Sequence, residues 1–138
     1  MSQENLEVAR RALDAFNERD LHAFLAAMDP DVAFTPFAGE LVGSFRGHED
    51  VRRWWAELSR VFAALRYELI EARDLGDRAL AAVRAHGLSR GTHAPVDTTL
   101  WMVGEFRYEK FVWWRTYQSE AEALEAVGLS EQDAHTSS

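Results

Sequence analysis

The chain contains no cysteine. Disulfides, thiolate metal sites and a cysteine nucleophile are therefore excluded, and a reducing, cytoplasmic setting fits that composition. Basic residues are few as well, 15 against 23 acidic ones for a net charge of −8, and they form no stripe. A phosphate backbone needs clustered lysine and arginine, so no nucleic-acid partner is expected. No apolar run reaches the roughly 18 residues of a membrane span. The N-terminal stretch MSQENLEVARR also lacks the apolar core of a signal peptide, so no membrane partner is expected either.

Chemical motifs are equally sparse. The five histidines, His22, His48, His86, His93 and His135, include no pair at two-, three- or four-residue spacing, so no metal site is expected. There is no Gly-x-Ser-x-Gly nucleophile elbow, and GLSRG at 87–91 lacks the strand-turn-helix setting one requires. No glycine-rich loop is available to cradle a phosphate, and no cofactor is expected.

Aromatic side chains are what the chain does have. Four of its five tryptophans come as two adjacent pairs, Trp54-Trp55 and Trp113-Trp114. The first pair lies in VRRWWAELSRVF, where Val51, Trp54, Trp55, Leu58, Val61 and Phe62 make a broad apolar stripe at helical period. Residues 4–18 read as an earlier amphipathic helix carrying Leu6, Ala9, Leu13 and Phe16 on one face. A short second helix starts at the N-cap Asp20, carries Leu21, Phe24, Leu25 and Met28, and stops at Asp29-Pro30. DVAFTPF then reads as a strand, with Pro36 at an edge or an end.

From about residue 66 the period becomes two, and strands are predicted at 66–73, 78–88, 96–106 and 110–118. The turn RYE at 107–109 lacks the glycine a tight hairpin prefers. Ser119-Glu120-Ala121-Glu122 is a capping box that starts a last helix, Gly128 is its left-handed stop, and Leu129 packs back on its end. This order makes one α+β domain over residues 1–129, with helices on one face of a mainly antiparallel sheet and a disordered tail at 130–138.

The stretches NERDLHAFLAAMDPDVAF and GSFRGHEDVRRWWAEL, with Tyr117 followed by LEAVGL at 124–129, resemble the SnoaL-like family of the nuclear transport factor 2-like superfamily. The resemblance spans residues 4–129 and implies a cone-shaped, cystatin-like fold with helices on the concave face of a curved sheet. Relatives include polyketide cyclases, ketosteroid isomerases, hydrolases, dehydratases and protein-binding modules, so the fold alone does not carry the function. It implies a pocket for a small hydrophobic, cyclic or aromatic molecule, lined by Phe16, Phe34, Thr35, Trp54, Trp55, Leu58, Trp101 and Trp114. Successive strand residues face opposite ways, so one of Trp113 and Trp114 must lie on the convex side. Trp113 is expected there, at the interface of a homodimer, with Trp114 inside.

Ketosteroid isomerases need a tyrosine, a carboxylate base and a protonated aspartic acid. The resemblance puts Ala12, Thr35 and Trp101 at those positions, so that mechanism is excluded. Cyclase-like chemistry needs a base for a carbon-bound proton and a donor for a carbonyl. The candidates are Arg84, His86, Asp97, Arg115 and Tyr117: Asp97 as a base, His86 as a base or donor, and Arg84 or Arg115 as the donor. Arg84, His86, Arg115 and Tyr117 are expected on the outward parity and Asp97 on the inward one. Many relatives carry an aspartate where this chain has Ser119, whose capping role accounts for it. Three functions stay open: a cofactor-independent acid–base enzyme, a non-catalytic carrier or sensor, and a dimeric interaction domain.

Overall fold

A computed structural model describes residues 2–36 and 43–128. The chain runs α1 (Ser2–Asn17), α2 (Leu21–Ala26), β1 (Met28–Thr35), β2 (Phe45–Arg46), α3 (Gly47–Val61), β3 (Phe62–Asp74), β4 (Arg78–Ser89), β5 (Pro95–Arg107), β6 (Lys110–Tyr117) and α4 (Glu120–Ala126). Among the described residues six strands form one curved sheet in the order β2-β1-β6-β5-β4-β3. All pairs are antiparallel except β1 with β6. This is the expected α+β architecture. The predicted tail and the packing of Leu129 lie outside the described residues. No described helix is long and apolar enough to cross a membrane.

The caps set the helix starts as the sequence predicts. Asp20 accepts from the Ala23 amide at 3.0 Å, and Ser119 accepts from the Glu122 amide at 3.2 Å. Gly128 adopts φ of 80° at the end of α4. Some boundaries differ. Met28 opens β1 instead of closing α2, because the Phe111 amide reaches across to the Ala27 carbonyl at 2.9 Å and draws the chain into the sheet. Pro30 therefore lies within β1, at the irregularity that separates the Met28 and Ala33 pairings with β6. Phe62 belongs to β3, which leaves α3 with no intervening loop. β1 is not an edge either, since the two-residue β2 covers its outer side.

Two apolar clusters sandwich the sheet. The larger joins α1, α2 and α3 to the concave face through Phe16, Phe24, Phe34, Trp54, Ala81, Val83, Met102 and Trp114. The smaller lies under α4 on the convex face and joins Leu80, Val103, Ala123 and Leu124 to Trp101, Trp113 and Tyr117. Bulges bend β3, and the one between Ala63 and Arg66 places Ala64 at φ of 55°. Gly87 makes room for this bulge: a Cβ there would sit 2.8 Å from the Leu65 Cα. On the other side Asn17 clamps it, donating to the Tyr67 carbonyl and accepting from the Tyr67 amide, each at 2.8 Å. Asn17 thus pairs with the β3 backbone as a neighbouring strand would.

Candidate functional site

The helices bring the predicted aromatics together, but against one another. Trp54 is fully buried and meets Phe34 edge-on at 4.8 Å, while Trp55 is half-buried against Phe24 at 5.1 Å and Phe16 at 5.5 Å. Trp114 closes on Phe34 at 5.4 Å and on Phe111 at 4.7 Å. Phe16 stacks on Tyr67 at 4.2 Å with the rings nearly parallel. Gly104 admits the Phe111 ring, which lies where a Cβ would stand. The inner end of the cone is therefore packed. The void among Leu13, Ala81, Met102, Phe106, Phe111 and Trp114 is only about 20 Å³, room for one water at most.

Strand register settles the parity of the other candidates. β4 and β5 pair Ala81 with Met102 and Val83 with Leu100 inward, which leaves Ala82 with Trp101 and His86 with Asp97 outward. Two expectations are thereby corrected. Trp101 lies on the convex face beside α4 and does not line the cone. Asp97 also faces outward, where Arg84 holds it through Nε and Nη2. Thr35 is the third correction: it pairs with Arg115 on the outward side of β1 and β6, and its hydroxyl lies 3.3 Å from that of Ser44. Arg84, His86, Arg115 and Tyr117 are outward as predicted, and Trp113 is outward with Trp114 inward.

On the convex face these charges neutralise one another. Arg84 approaches Glu68 at 3.7 Å, and His86 lies 4.0 Å from the same carboxylate. The Arg84 hydrogen bond holds the Asp97 carboxyl below its ordinary range and raises Arg84 in turn. Arg115 lies over the Tyr117 ring at 5.6 Å. None of the five candidate acid–base residues is aimed at the interior. Among the described residues the buried set holds no charged side chain, and its only ionisable group is the Tyr67 phenol, pushed up strongly by burial.

The openings lie beside α1 and at the end of α3. A groove of about 590 Å³ runs between α1 (Arg10, Leu13, Asp14, Asn17) and the β3 edge, wrapping it so that His86 touches the rim. A cleft of about 420 Å³ continues it, sharing Arg10 and Leu69 and reaching Leu6, Ala9, Ala79 and Ala81. Ala9, Ala79 and Ala81 also wall the small void in front of Trp114. Sequence reasoning missed this opening. Its signal is the run of alanines on β4 beneath the alanine of α1, which leaves the helix standing off the sheet. A third opening, a notch of about 40 Å³, is lined by Phe16, Trp55 and Leu58 together with Arg19 and Arg90. The described residues contain no cluster of three potential metal ligands.

The SnoaL-like domain model matches residues 9–114, and the chain belongs to that family. Its fold is that of the nuclear transport factor 2-like proteins. One such protein of unknown function, from Burkholderia pseudomallei, is 24% identical with a TM-score of 0.77 over 88% of this chain and 95% of its own. TerC, crystallised with polyporic acid, is 19% identical with a TM-score of 0.76 over 91% of this chain and 98% of its own. A protein with a ketosteroid isomerase-like fold from Catenulispora acidiphila, in complex with trimethylamine, is 18% identical with a TM-score of 0.74 over 89% and 93%. No curated protein sequence matches this chain.

Proposed function

We propose that this protein binds a small, uncharged hydrophobic molecule in the cleft between α1 and the sheet, and performs no acid–base chemistry on it. The observation that carries this reading is the chemistry of the cleft. Its inner end is formed by Ala9, Ala79 and Ala81, with Leu13, Met102 and Trp114 behind them, and has no ionisable side chain; the charged residues of its lining, Glu7, Arg10 and Glu71, are solvent-exposed at the outer rim. Asp97, Arg84 and Arg115 face the other side of the sheet, and His86 reaches only the rim. A mostly apolar concavity is the usual setting for a small ligand, whereas general acid–base work needs a titratable group within hydrogen-bond reach. That TerC was crystallised with polyporic acid and the Catenulispora protein with trimethylamine is in keeping with a small-molecule site in this fold, whatever the ligand's charge.

Titration with the neutral dye N-phenyl-1-naphthylamine tests this reading. Wild type binds it with enhanced emission, Ala81→Leu weakens binding about tenfold by filling the cleft, and Asp97→Asn leaves it unchanged. No binding by wild type would leave a closed cone, and the reading would pass to an interaction domain.

We infer further that two copies pair through the convex face. Trp113 is only half-buried there beneath Arg78, whose Cζ lies 5.8 Å above the ring, with Tyr117 beside it. Light scattering is expected to give twice the 15.7 kDa chain mass, and Trp113→Arg to halve it. A wild-type monomer would reject the pairing.

A further inference from the structure

The notch at the end of α3 gathers positive charge in a chain whose net charge is −8. Arg19 and Arg90 line it with Trp55, Phe62 and Leu65, and no carboxylate lines it. Among the described residues both guanidinium groups hydrogen-bond to backbone carbonyls only. Arg19 donates to the Phe16 carbonyl at 2.9 Å and to the Leu65 carbonyl, and Arg90 donates through Nε to the Ser59 carbonyl at 2.6 Å. These bonds fix the two cations without neutralising them. Arg66 adds a third charge. It follows Leu65 in the chain, faces the neighbouring groove, which Asp14 and Glu68 also line, and has no ion pair among the described residues. Burial is the main influence lowering Arg19, followed by the charge of Arg66, with Arg90 acting in the same sense.

Arg19 also occupies a position that favours glycine. Its φ is 60°, in the left-handed turn that ends α1, where the Asp20 amide reaches the Ala15 carbonyl at 2.9 Å. The side chain it carries there reaches the carbonyl of the β3 bulge and lies 5.1 Å over the Phe16 ring.

We propose that this notch binds the carboxylate of a small aryl acid, the charge held between Arg19 and Arg90 within the field of Arg66 and the ring resting on Trp55 and Phe62. Arginine suits this role because its planar fork matches a carboxylate and remains charged at any working pH. The volume of about 40 Å³ suits a carboxylate-sized head group with the ring at the mouth. The site is separate from the alanine-walled cleft, and it is tested with charged probes where that cleft is tested with a neutral one. Either proposal can fail alone.

The test is a titration of the full chain with benzoate, benzamide and inorganic phosphate, following the tryptophan indole N–H resonances by NMR. Trp55→Phe identifies its own signal. Benzoate is expected to shift the Trp55 signal and to bind about tenfold more tightly than benzamide, which has the same ring and no charge. Arg90→Gln and Arg66→Gln should each weaken benzoate about fivefold and leave benzamide unchanged. Arg53→Gln, on the exposed face of α3, should change neither. Among the described residues Arg66 holds no backbone group, so its variant remains informative if Arg90→Gln fails to fold. Equal binding of benzoate and benzamide would overturn the proposal. So would an equal loss with Arg53→Gln, or phosphate binding as tightly as benzoate at the Trp55 signal.

Discussion

Arg84 on β4 and Asp97 on β5 form a two-pronged ion pair on the solvent side of the sheet, Nε to Oδ1 at 2.9 Å and Nη2 to Oδ2 at 2.8 Å. The pair removes Asp97 from the list of bases, since a carboxylate held below its ordinary pKa by a guanidinium is a poorer proton acceptor. It also fixes the sign of a pH effect. The folded pKa of Asp97 lies below its unfolded value, so the pair adds stability above the ordinary carboxylate range and loses it as pH falls through the folded pKa. Asp97→Asn should therefore lower the urea midpoint slightly near neutrality and not at all in strong acid. Both groups are exposed, so the difference should shrink further in high salt. A deficit that persists below the carboxylate range would show that the asparagine perturbs packing, not the ion pair.

The turn between β5 and β6 offers a stabilising change. Tyr108 and Glu109 connect the Arg107–Lys110 pair, and both have positive φ, 54° and 60°. A two-residue hairpin of this kind favours Asn-Gly, and other residues cost about 1–2 kcal/mol each in the left-handed region. Tyr108 is 90% exposed and contributes no core contact. The double substitution Tyr108→Asn with Glu109→Gly should raise stability by about 1–2 kcal/mol in urea unfolding. Absence of any gain would mean that the tyrosine ring has a partner on a second chain.

The helices were legible because each has one apolar face, and α2 and α4 also carry recognisable caps in Asp20 and Ser119. The β5 strand was not, and the reason is α4. By covering the convex side it makes Trp101 and Val103 as apolar as the inward-facing Leu100 and Met102. A period of two cannot be read from a strand that is apolar on both faces. A shift of one residue then moves Asp97 and Trp101 together, which is the error the register corrects. β4 was easier at its C-terminal end, where Val83-Arg84-Ala85-His86 alternates cleanly once the strand passes beyond α4. The arginine notch was hidden for a different reason. Arg19 and Arg90 are far apart in sequence and meet only because the β3 bulge folds back against the end of α1.

Trp54 tests how the packed interior tolerates a polar atom. Its indole Nε1 is buried and has no hydrogen-bond partner among the described residues. An unsatisfied donor of this kind costs about 1–3 kcal/mol. Trp54→Phe removes that cost and keeps an aromatic ring against Phe24 and Phe34, while opening a small cavity. The two effects oppose each other, so stability should change by less than about 1.5 kcal/mol. Trp54→Ala has no such offset and should cost about 3–5 kcal/mol. If the phenylalanine variant loses as much as the alanine variant, the indole N–H has a partner.

Among the described residues Tyr67 is the one ionisable group in the main core, and its behaviour in base follows from its position. The ring stacks on Phe16, and burial raises the phenol above its ordinary pKa, offset only slightly by the Arg19 charge. The neutral phenol is the form the fold accepts. Its contribution is intact below the unfolded value of about 10, and it is lost as pH rises towards the folded pKa. Stability of wild type should therefore fall steeply above about pH 10, since unfolding releases a proton that the folded state retains. Tyr67→Phe keeps the stacked ring and removes the proton, so its stability should fall less steeply over the same range. Tyrosinate absorbance should give the same answer, with one phenol appearing only together with unfolding. Parallel losses in wild type and Tyr67→Phe would mean that this phenol is solvated through the adjoining groove and titrates without opening the core.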